Sequence, residues 1–210
     1  MGVLNTLGIS AGANNAAAAT FEKLFPSFLD VSYETPSDYV GKYWKTYLNR
    51  QNRNNNLNGK VFEYILATLF VRENILPLYL NATVALVPNV IYDLMFYTDE
   101  KGPICLSAKT SLRERYKQAD LEAIALKYVH RRAESYLLTL DETEAENVKM
   151  KIKSGDVIGL NKVVVATKPD FDELVASLKQ LAFSDPPTFK VINSNQIITE
   201  EKKNQLSKHL

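Results

Sequence analysis

Two apolar runs in the middle of the chain each carry a charged residue, and this pattern constrains the fold more than any other feature of the sequence. Residues 90–97 and 103–109 are rich in β-branched, aromatic and other apolar side chains, and the turn-forming residues 99–102 separate them. This pattern predicts a β-hairpin. Because side chains alternate between the faces of a strand, Asp93 and Lys109 are expected to point to the same side of neighbouring strands.

A charge in an apolar strand is costly to bury unless it is paired or binds a metal. On their own, Asp93 and Lys109 fit a structural ion pair as well as they fit a functional site. A helix is predicted over residues 112–132, which contain neither glycine nor proline, and Thr110 and Ser111 before it are suitable N-cap residues.

An apolar stripe on this predicted helix places a second carboxylate near the hairpin. The stripe has helical spacing and consists of Leu121, Ile124, Ala125 and Tyr128. Glu122 is therefore expected beside the buried face, from which its carboxylate can turn back towards the strand ends. A meeting of Asp93, Lys109 and Glu122 favours a functional site over a structural ion pair.

The order of Asp93, Lys109 and Glu122 resembles the PD-(D/E)xK nuclease superfamily, in the variant whose second carboxylate is displaced onto the following helix. Ser107 stands where the usual motif has an acid, as it often does in the type II restriction endonucleases that cut CCGG, CCNGG and CCWGG sites. Tyr92 replaces the proline of the superfamily motif, which does not alter the chemistry. The run Lys-Thr-Ser-Leu-Arg-Glu-Arg that begins at Lys109 is similar to the run with which that group reads bases.

This resemblance covers residues 93–122 and extends more weakly over residues 59–93. It implies an α/β protein of the PD-(D/E)xK restriction-endonuclease-like fold, with a central mixed β-sheet flanked by helices. The implied activity is that of a type II restriction endonuclease, which hydrolyses phosphodiester bonds in double-stranded DNA with Mg²⁺ at a short palindromic G/C-containing site of the CCGG or CCNGG kind. The expected partners are a second copy of the chain, since both strands of a palindrome are cut, and a DNA methyltransferase that acts on the same site.

The resemblance also assigns roles around the expected metal ion. Asp93 and Glu122 are the expected ligands of Mg²⁺, which prefers oxygen donors, and a backbone carbonyl near Ala108 would complete the site. Lys109 would orient or deprotonate the attacking water and neutralise charge in the transition state. Ser107 is too short and neutral to replace a carboxylate, and it is expected to contact a metal-bound water.

A further acid is expected from the helix predicted over residues 59–71. This helix is strongly apolar, and Glu63 is its one acid. Nucleases of the superfamily often bring a glutamate from the helix before the catalytic strands to the metal, directly or through water. Glu63 is therefore predicted to join the catalytic group.

Arg113, Glu114 and Arg115 are predicted to read bases. An arginine fork pairs with O6 and N7 of guanine, and a carboxylate accepts from N4 of cytosine. The triplet thus has the donors and acceptors that adjacent G·C pairs require. An exposed charge run on a helix is the alternative, but the triplet begins four residues after Lys109.

Basic residues cluster although the net charge is only +1. Residues 41–60 carry five positive and no negative side chains, and residues 104–133 carry seven positive and three negative ones. Such clusters suit a phosphate-facing cleft, although a solvated charged face is the commoner explanation for a single cluster. A surface loop is likewise the alternative for residues 50–58. The side chains predicted to contact the DNA backbone are Arg50, Arg53, Lys60 and Lys117.

At 210 residues, of which 46% are apolar and 23% charged, the chain is expected to form a single domain over residues 1–210. Residues 1–20 are mostly small or polar and are expected to form a flexible or dimer-contacting arm. The lone cysteine, Cys105, excludes a disulfide framework and favours a reducing, cytoplasmic compartment. No run has transmembrane length, so no membrane contact is expected, and the start of the chain lacks a signal-peptide pattern.

The rest of the chain alternates strands and helices, as expected of a layered α/β domain. Residues 162–167 contain a Val-Val-Val run typical of a central, partly parallel strand. The other predicted strands are residues 78–87, 135–140 and 188–192. The other predicted helices are residues 21–30, 37–49, 141–153, 170–183 and 200–210.

Two other classes of function remain open on the sequence. One is a nuclease of the same fold that acts in DNA repair or on branched DNA structures. The other is a noncatalytic DNA-binding relative. Cleavage of mixed-sequence DNA in the presence of Mg²⁺ distinguishes these classes from a restriction enzyme.

Overall fold

The structure is a computed structural model and describes residues 2–12, 15–187, 192–194 and 196–207. Within these ranges the helices are α1 Val3–Thr6, α2 Ala16–Glu22, α3 Pro36–Leu48, α4 Asn55–Arg72, α5 Arg115–Val129, α6 Glu142–Ser154, α7 Pro169–Lys179 and α8 Glu200–Ser207. The strands are β1 Leu78–Val84, β2 Tyr92–Thr98, β3 Gly102–Lys109, β4 Glu134–Thr139, β5 Lys162–Val165, β6 Ile192–Asn193 and β7 Gln196–Ile198. Most of these elements lie within a few residues of their predicted positions.

The strands form one mixed sheet in the order β5-β4-β3-β2-β1-β6, and β7 also pairs with β1. Strands β1, β2 and β3 are antiparallel neighbours, whereas β3, β4 and β5 run parallel. The predicted mixed sheet is therefore confirmed, and the predicted hairpin of β2 and β3 lies at its centre. The valine-rich strand β5 is parallel as predicted, but the prediction that it is central is wrong. Strand β5 is the outermost strand of the sheet, and its valines are buried because α6 and α7 pack on it.

Helices cover both faces of the sheet. On one face α3, α4 and α7 pack, and there Phe62, Phe96 and Phe171 belong to one apolar core. On the opposite face α5 and α6 pack, and there Ala123 and Val148 share a core with β4. Because the central hairpin lies between α4 and α5, side chains from both helices can reach the ends of its strands.

Helix α5 begins later and faces differently from the prediction. It starts at Arg115, and no side chain caps its N-terminus, so the predicted cap at residues 110–111 is wrong. Leu121 and Tyr128 were expected to be buried, but they are 66% and 88% exposed. The residues that α5 buries are Ala119, Asp120, Ala123 and Leu126. Small alanines let the helix approach its neighbours closely, and this close packing decides which face is buried.

A buried carboxylate fixes α5 to the loop before β5. Asp120 is 8% exposed and accepts hydrogen bonds from the backbone N–H of Gly159 at 2.6 Å and of Leu160 at 3.2 Å. These bonds stabilise a carboxylate that would be costly to bury without partners. Since Asp120 lies two residues before Glu122, the same anchor sets the position of Glu122.

Replacing Gly159 by alanine should lower the free energy of unfolding by about 2–3 kcal/mol. A Cβ atom there would lie 2.7 Å from the backbone nitrogen of Ile124 and 2.8 Å from its Cγ1 atom, so α5 would have to move. Gly41→Ala is the matched control, because a Cβ at that position meets no atom within 4 Å and alanine stabilises a helix by about 0.5–1 kcal/mol relative to glycine. Chemical denaturation measures both variants. Equal stability of Gly159→Ala and the wild type would contradict the close packing of α5 against Gly159.

The N-terminal segment, predicted to be a flexible or dimer-contacting arm, contributes apolar side chains to the core. Leu4, Leu7 and Ile9 are buried in the core that α3 and α4 share. The backbone N–H of Leu4 also donates to Glu22 Oε1 at 3.0 Å. The described part of this segment is therefore packed on the domain, because its few apolar side chains are buried there. A contact with a second copy of the chain stays a prediction.

One further prediction concerns residues 21–30, and another concerns the C-terminal residues. The helix predicted over residues 21–30 is wrong beyond Glu22, and Pro26 explains why, since proline lacks a backbone N–H and breaks a helix. Residues 188–191 of the last predicted strand and 208–210 of the predicted tail helix lie outside the described residues.

None of the helices in the described ranges combines the length and apolar character that crossing a lipid bilayer requires.

Candidate active site

The start of β2 and the end of β3 lie at the same end of the strands, which we call the sheet edge. Their charged side chains pair there. Leu94 lies opposite Leu106 in this antiparallel pair, which brings Asp93 beside the last residues of β3. Lys109 Nζ lies 2.8 Å from Asp93 Oδ2, and the backbone N–H of Ala108 donates to the same oxygen at 2.8 Å. The prediction that Asp93 and Lys109 share one side of the hairpin is confirmed.

A second pair of charges reaches this edge from α4. Lys60 Nζ lies 2.6 Å from Glu63 Oε2 and donates a longer bond to Asn81 Oδ1 of β1, at 3.4 Å. Burial and the negative charge of Asp93 raise the pKa of Glu63. The positive charges of Lys60 and Lys109 act on this pKa in the opposite direction. Glu63 therefore lies within electrostatic range of the Asp93–Lys109 pair.

Helix α5 supplies a third acid, Glu122. Its Oε1 atom accepts a hydrogen bond from Gln118 Nε2 at 2.8 Å. Burial raises the pKa of Glu122 above its ordinary value, and the charge of Lys109 lowers it while that of Asp93 raises it. The Tyr92 hydroxyl donates to the backbone carbonyl of Glu122 at 3.1 Å. Because Tyr92 directly precedes Asp93, this bond ties the helix that carries Glu122 to the strand that carries Asp93.

Side chains from four elements thus form one electrostatic group, which we call the sheet-edge cluster. Its members are Lys60, Glu63, Asp93, Lys109 and Glu122. Two of its acids keep their protons to a higher pH than an ordinary glutamate, because burial and a neighbouring carboxylate oppose their ionisation. Ionisable groups perturbed in this way and gathered at one place are typical of functional sites.

The residues predicted to read bases follow the cluster along the chain and lie on the surface. Arg113, Glu114 and Arg115 are all exposed. Glu114 forms an ion pair with Lys117, so the lysine predicted to contact the DNA backbone has a partner in the turn before α5, and its contact with DNA stays a prediction. The backbone of Arg113 has a φ of +34°, in the left-handed region. Residues 112–114 therefore form a turn rather than the predicted first turn of α5.

No protein-family model and no curated protein sequence matches the chain. Among solved structures, the chain is similar to the restriction endonuclease PspGI in complex with its substrate DNA. The similarity covers 90% of this chain and 86% of that chain, with a TM-score of 0.54 and 19% sequence identity. The chain has a restriction-endonuclease fold. This agrees with the restriction-endonuclease-like fold that the resemblance implies, and membership of the PD-(D/E)xK superfamily stays a prediction.

Within this restriction-endonuclease fold, the sheet-edge cluster has the donor types that a divalent cation needs. Its carboxylates are the hard oxygen ligands that Mg²⁺ prefers. The pKa values of Glu63 and Glu122 are raised by burial, to which the charge of Asp93 adds, and a bound cation would oppose both effects. Within the described residues, no three His, Cys, Asp or Glu side chains are placed to hold an ion together. Asp93 Oδ2 is instead engaged by Lys109 Nζ and the Ala108 N–H. The roles of Asp93, Glu122 and the Ala108 carbonyl as metal ligands stay predictions.

Three further residues predicted for the site are Ser107, Arg50 and Arg53. Ser107 is buried in β3 at 8% exposure, and its contact with a bound water stays a prediction. Arg53 is exposed, and its Nε atom donates to the backbone carbonyl of Arg50 at 3.1 Å. Arg50 Nη1 donates to the backbone carbonyl of Thr20 at 3.4 Å. Both arginines thus stabilise the loop before α4, and their contact with DNA stays a prediction.

Two contacts in and around the cluster, those of Lys60 and Tyr92, do not follow from the sequence patterns. The sequence predicts that Lys60 contacts the DNA backbone, and this stays a prediction, but the structure also pairs Lys60 with Glu63. Their spacing of three residues on one helix is a signal that could have indicated this pair. The sequence predicts no role for Tyr92 beyond replacing the proline of the motif, because no local pattern shows that its hydroxyl reaches α5.

Proposed function

We propose that this chain is a type II restriction endonuclease that hydrolyses phosphodiester bonds in double-stranded DNA and requires Mg²⁺. The observation that carries the proposal is the sheet-edge cluster, in which the Asp93–Lys109 pair at 2.8 Å interacts with acids from helices α4 and α5. The restriction-endonuclease fold, which the chain shares with a protein solved on its substrate DNA, supports a DNA substrate.

Phosphodiester hydrolysis needs a nucleophilic water, compensation for charge on the phosphoryl oxygens and help for the departing 3′ oxygen. Asp93, Glu122 and the Ala108 carbonyl would hold Mg²⁺, which supplies Lewis-acid charge and a more acidic water. Lys109 orients the attacking water through its ammonium group, whose charge stabilises the transition state, or takes the proton of that water as the neutral amine. Glu63, whose carboxylate retains a proton to higher pH than usual, acts as a secondary acid that reaches the metal site directly or through water.

Base recognition falls to the exposed triplet beside the cluster. Arg113 and Arg115 offer bidentate donors to guanine, and Glu114 accepts from cytosine, each good pair contributing about 1–3 kcal/mol of discrimination. The resemblance favours a palindromic site that contains CC and GG, of the CCGG or CCNGG kind, and the thirteen-residue spacing from Lys109 to Glu122 favours the interrupted CCNGG kind. A palindrome cut on both strands requires two active sites, so the active form is a two-fold symmetric dimer. A DNA methyltransferase of the same specificity would protect the host DNA.

The proposal is tested by incubating the purified chain with duplex DNA of known mixed sequence, with Mg²⁺ or with a chelator, and by sequencing the ends. Discrete fragments with a common end sequence, formed only with Mg²⁺, are expected. Nicking of branched DNA without a common sequence would make the chain a structure-specific nuclease instead. Selective binding without cutting would make it a noncatalytic reader, and neither binding nor cutting would refute a DNA function altogether.

A further inference from the structure

A carboxylate from another helix holds the turn that leads into α5. Glu144, in the first turn of α6, accepts hydrogen bonds through Oε2 from the backbone N–H of Leu112 and, at 2.9 Å, from that of Arg113. Hydrogen bonds to a charged acceptor are about twice as strong as neutral ones. Glu144 therefore fixes the backbone on which the base-reading side chains stand.

The conformation of this turn needs such a constraint. Arg113 has a φ of +34°, a value that a residue with a side chain rarely adopts. Strained backbone of this kind persists only where the surrounding structure determines it. Without the two hydrogen bonds that Glu144 accepts, the backbone at Arg113 would relax, and the side chains of Arg113 and Glu114 would point in other directions.

Contacts of α6 fix the position of Glu144. Its backbone N–H donates to Asp141 Oδ1, the N-cap of α6, at 2.9 Å. On the buried side of α6, Ala145 and Val148 pack in the core that also contains Leu112. Helix α6 is thus a rigid platform, and the Glu144 carboxylate projects from it to the turn.

On the outer side, the turn and α6 border a cavity of about 510 Å³, which Arg113, Glu114 and Tyr116 line. Packed side chains do not fill this space, so packing contributes little to the direction of the exposed part of the turn. The hydrogen bonds to Glu144 are the described contacts that join Arg113 to α6. The buried Leu112 holds the turn to the core, and the direction of its exposed residues depends on the Glu144 carboxylate.

We propose that Glu144 is a positioning residue for sequence discrimination. Its carboxylate sets the direction in which Arg113 and Glu114 meet the base pairs, and its effect on DNA passes entirely through the turn. This inference rests on the proposed function, because it assumes that the triplet reads bases.

The test compares Glu144→Ala and Glu144→Gln with the matched control Glu142→Ala. Glu142 lies in the same helical turn, is exposed, and pairs with Lys168 at 2.9 Å. The measured quantity is the ratio of cleavage rates on the cognate duplex and on duplexes with one base pair changed. Glu144→Ala should reduce this ratio by about 10- to 100-fold, the range of one base-reading contact. Glu144→Gln retains a neutral acceptor and should give an intermediate ratio, and Glu142→Ala should keep that of the wild type.

An unchanged ratio in both Glu144 variants would overturn the proposal, and so would an equal fall in the Glu142→Ala control. Because Glu144→Gln keeps the size of the side chain and one acceptor oxygen, it supplies a folded variant if the alanine variant does not fold. The same ratio is measured for equilibrium binding without Mg²⁺. A wild-type chain that binds selectively but does not cut would refute the nuclease alone, whereas a chain without any selectivity would refute both proposals.

Discussion

Replacing Asp93 by asparagine is expected to reduce the rate of DNA cleavage by more than about a thousandfold, which corresponds to about 4 kcal/mol of transition-state stabilisation. Asparagine keeps the size of the side chain and an oxygen that can accept the Ala108 N–H, but it removes the charge. That charge acts on both other acids of the cluster, since it raises the pKa of Glu63 and of Glu122. The substitution thus removes a predicted metal ligand and the partner of Lys109 together. Single-turnover cleavage of the cognate duplex with saturating Mg²⁺ measures the effect.

Binding of the duplex should survive this substitution. The base-reading triplet lies outside the cluster, and removing a negative charge does not weaken attraction to phosphates. Asp99→Asn is the matched control, because Asp99 follows the opposite end of β2 and bonds there to Ser184 Oγ at 2.9 Å. It should cleave at the wild-type rate. Comparable rates for Asp93→Asn and Asp99→Asn would refute the assignment of Asp93 as a metal ligand.

The central hairpin was predictable because the rules that determine it act over a few residues. Alternation of side chains along a strand and the pairing of strands across a short turn suffice to bring Asp93 and Lys109 together. The apolar pattern of α4 likewise identified Glu63 as an isolated acid that needs a partner. In each case the relevant neighbours lie on the same element or on the next one along the chain.

The face of α5 was not predictable by the same means. Periodicity selects the largest apolar residues, and it placed Leu121 and Tyr128 inside. The structure buries Asp120 instead, because its carboxylate finds two backbone N–H groups about Gly159, 39 residues further along the chain. A carboxylate with distant partners looks like a surface residue in the sequence, so the helix was assigned the wrong face.

The contacts that orient the site share this long-range character. The Tyr92 hydroxyl reaches a carbonyl 30 residues away, and Glu144 reaches the N–H of Arg113 across 31 residues. The buried Leu4 and Leu7 show the same limit at the N-terminus, since isolated apolar residues in a polar segment give no periodic signal. Sequence patterns thus identified the charged groups of the site, whereas the groups that position them required the fold.

Replacing Lys109 by methionine is expected to lower the cleavage rate at neutral pH by more than about a hundredfold and to move the acid limb of the pH–rate profile to higher pH. Methionine keeps the apolar part of the side chain and removes the charge. That charge lowers the pKa of Glu63 and of Glu122, which burial raises. Without it both pKa values rise further, so these carboxylates stay protonated, and unable to bind a cation, up to a higher pH.

Lys109→Arg separates the charge of this residue from its chemistry. Arginine keeps the positive charge and should restore the acid limb, but its guanidinium cannot give up a proton and is too broad to replace a compact ammonium, so the maximal rate should stay low. Lys60→Met is the matched control on α4. The charge and the hydrogen bond of Lys60 lower the pKa of Glu63 more than Lys109 does, but Lys60 does not act on the pKa of Glu122, so this variant should raise the pKa of Glu63 alone and keep most of the rate. A Lys109→Met chain whose rate and pH profile match those of Lys60→Met would exclude Lys109 from the reaction and leave it as the structural partner of Asp93.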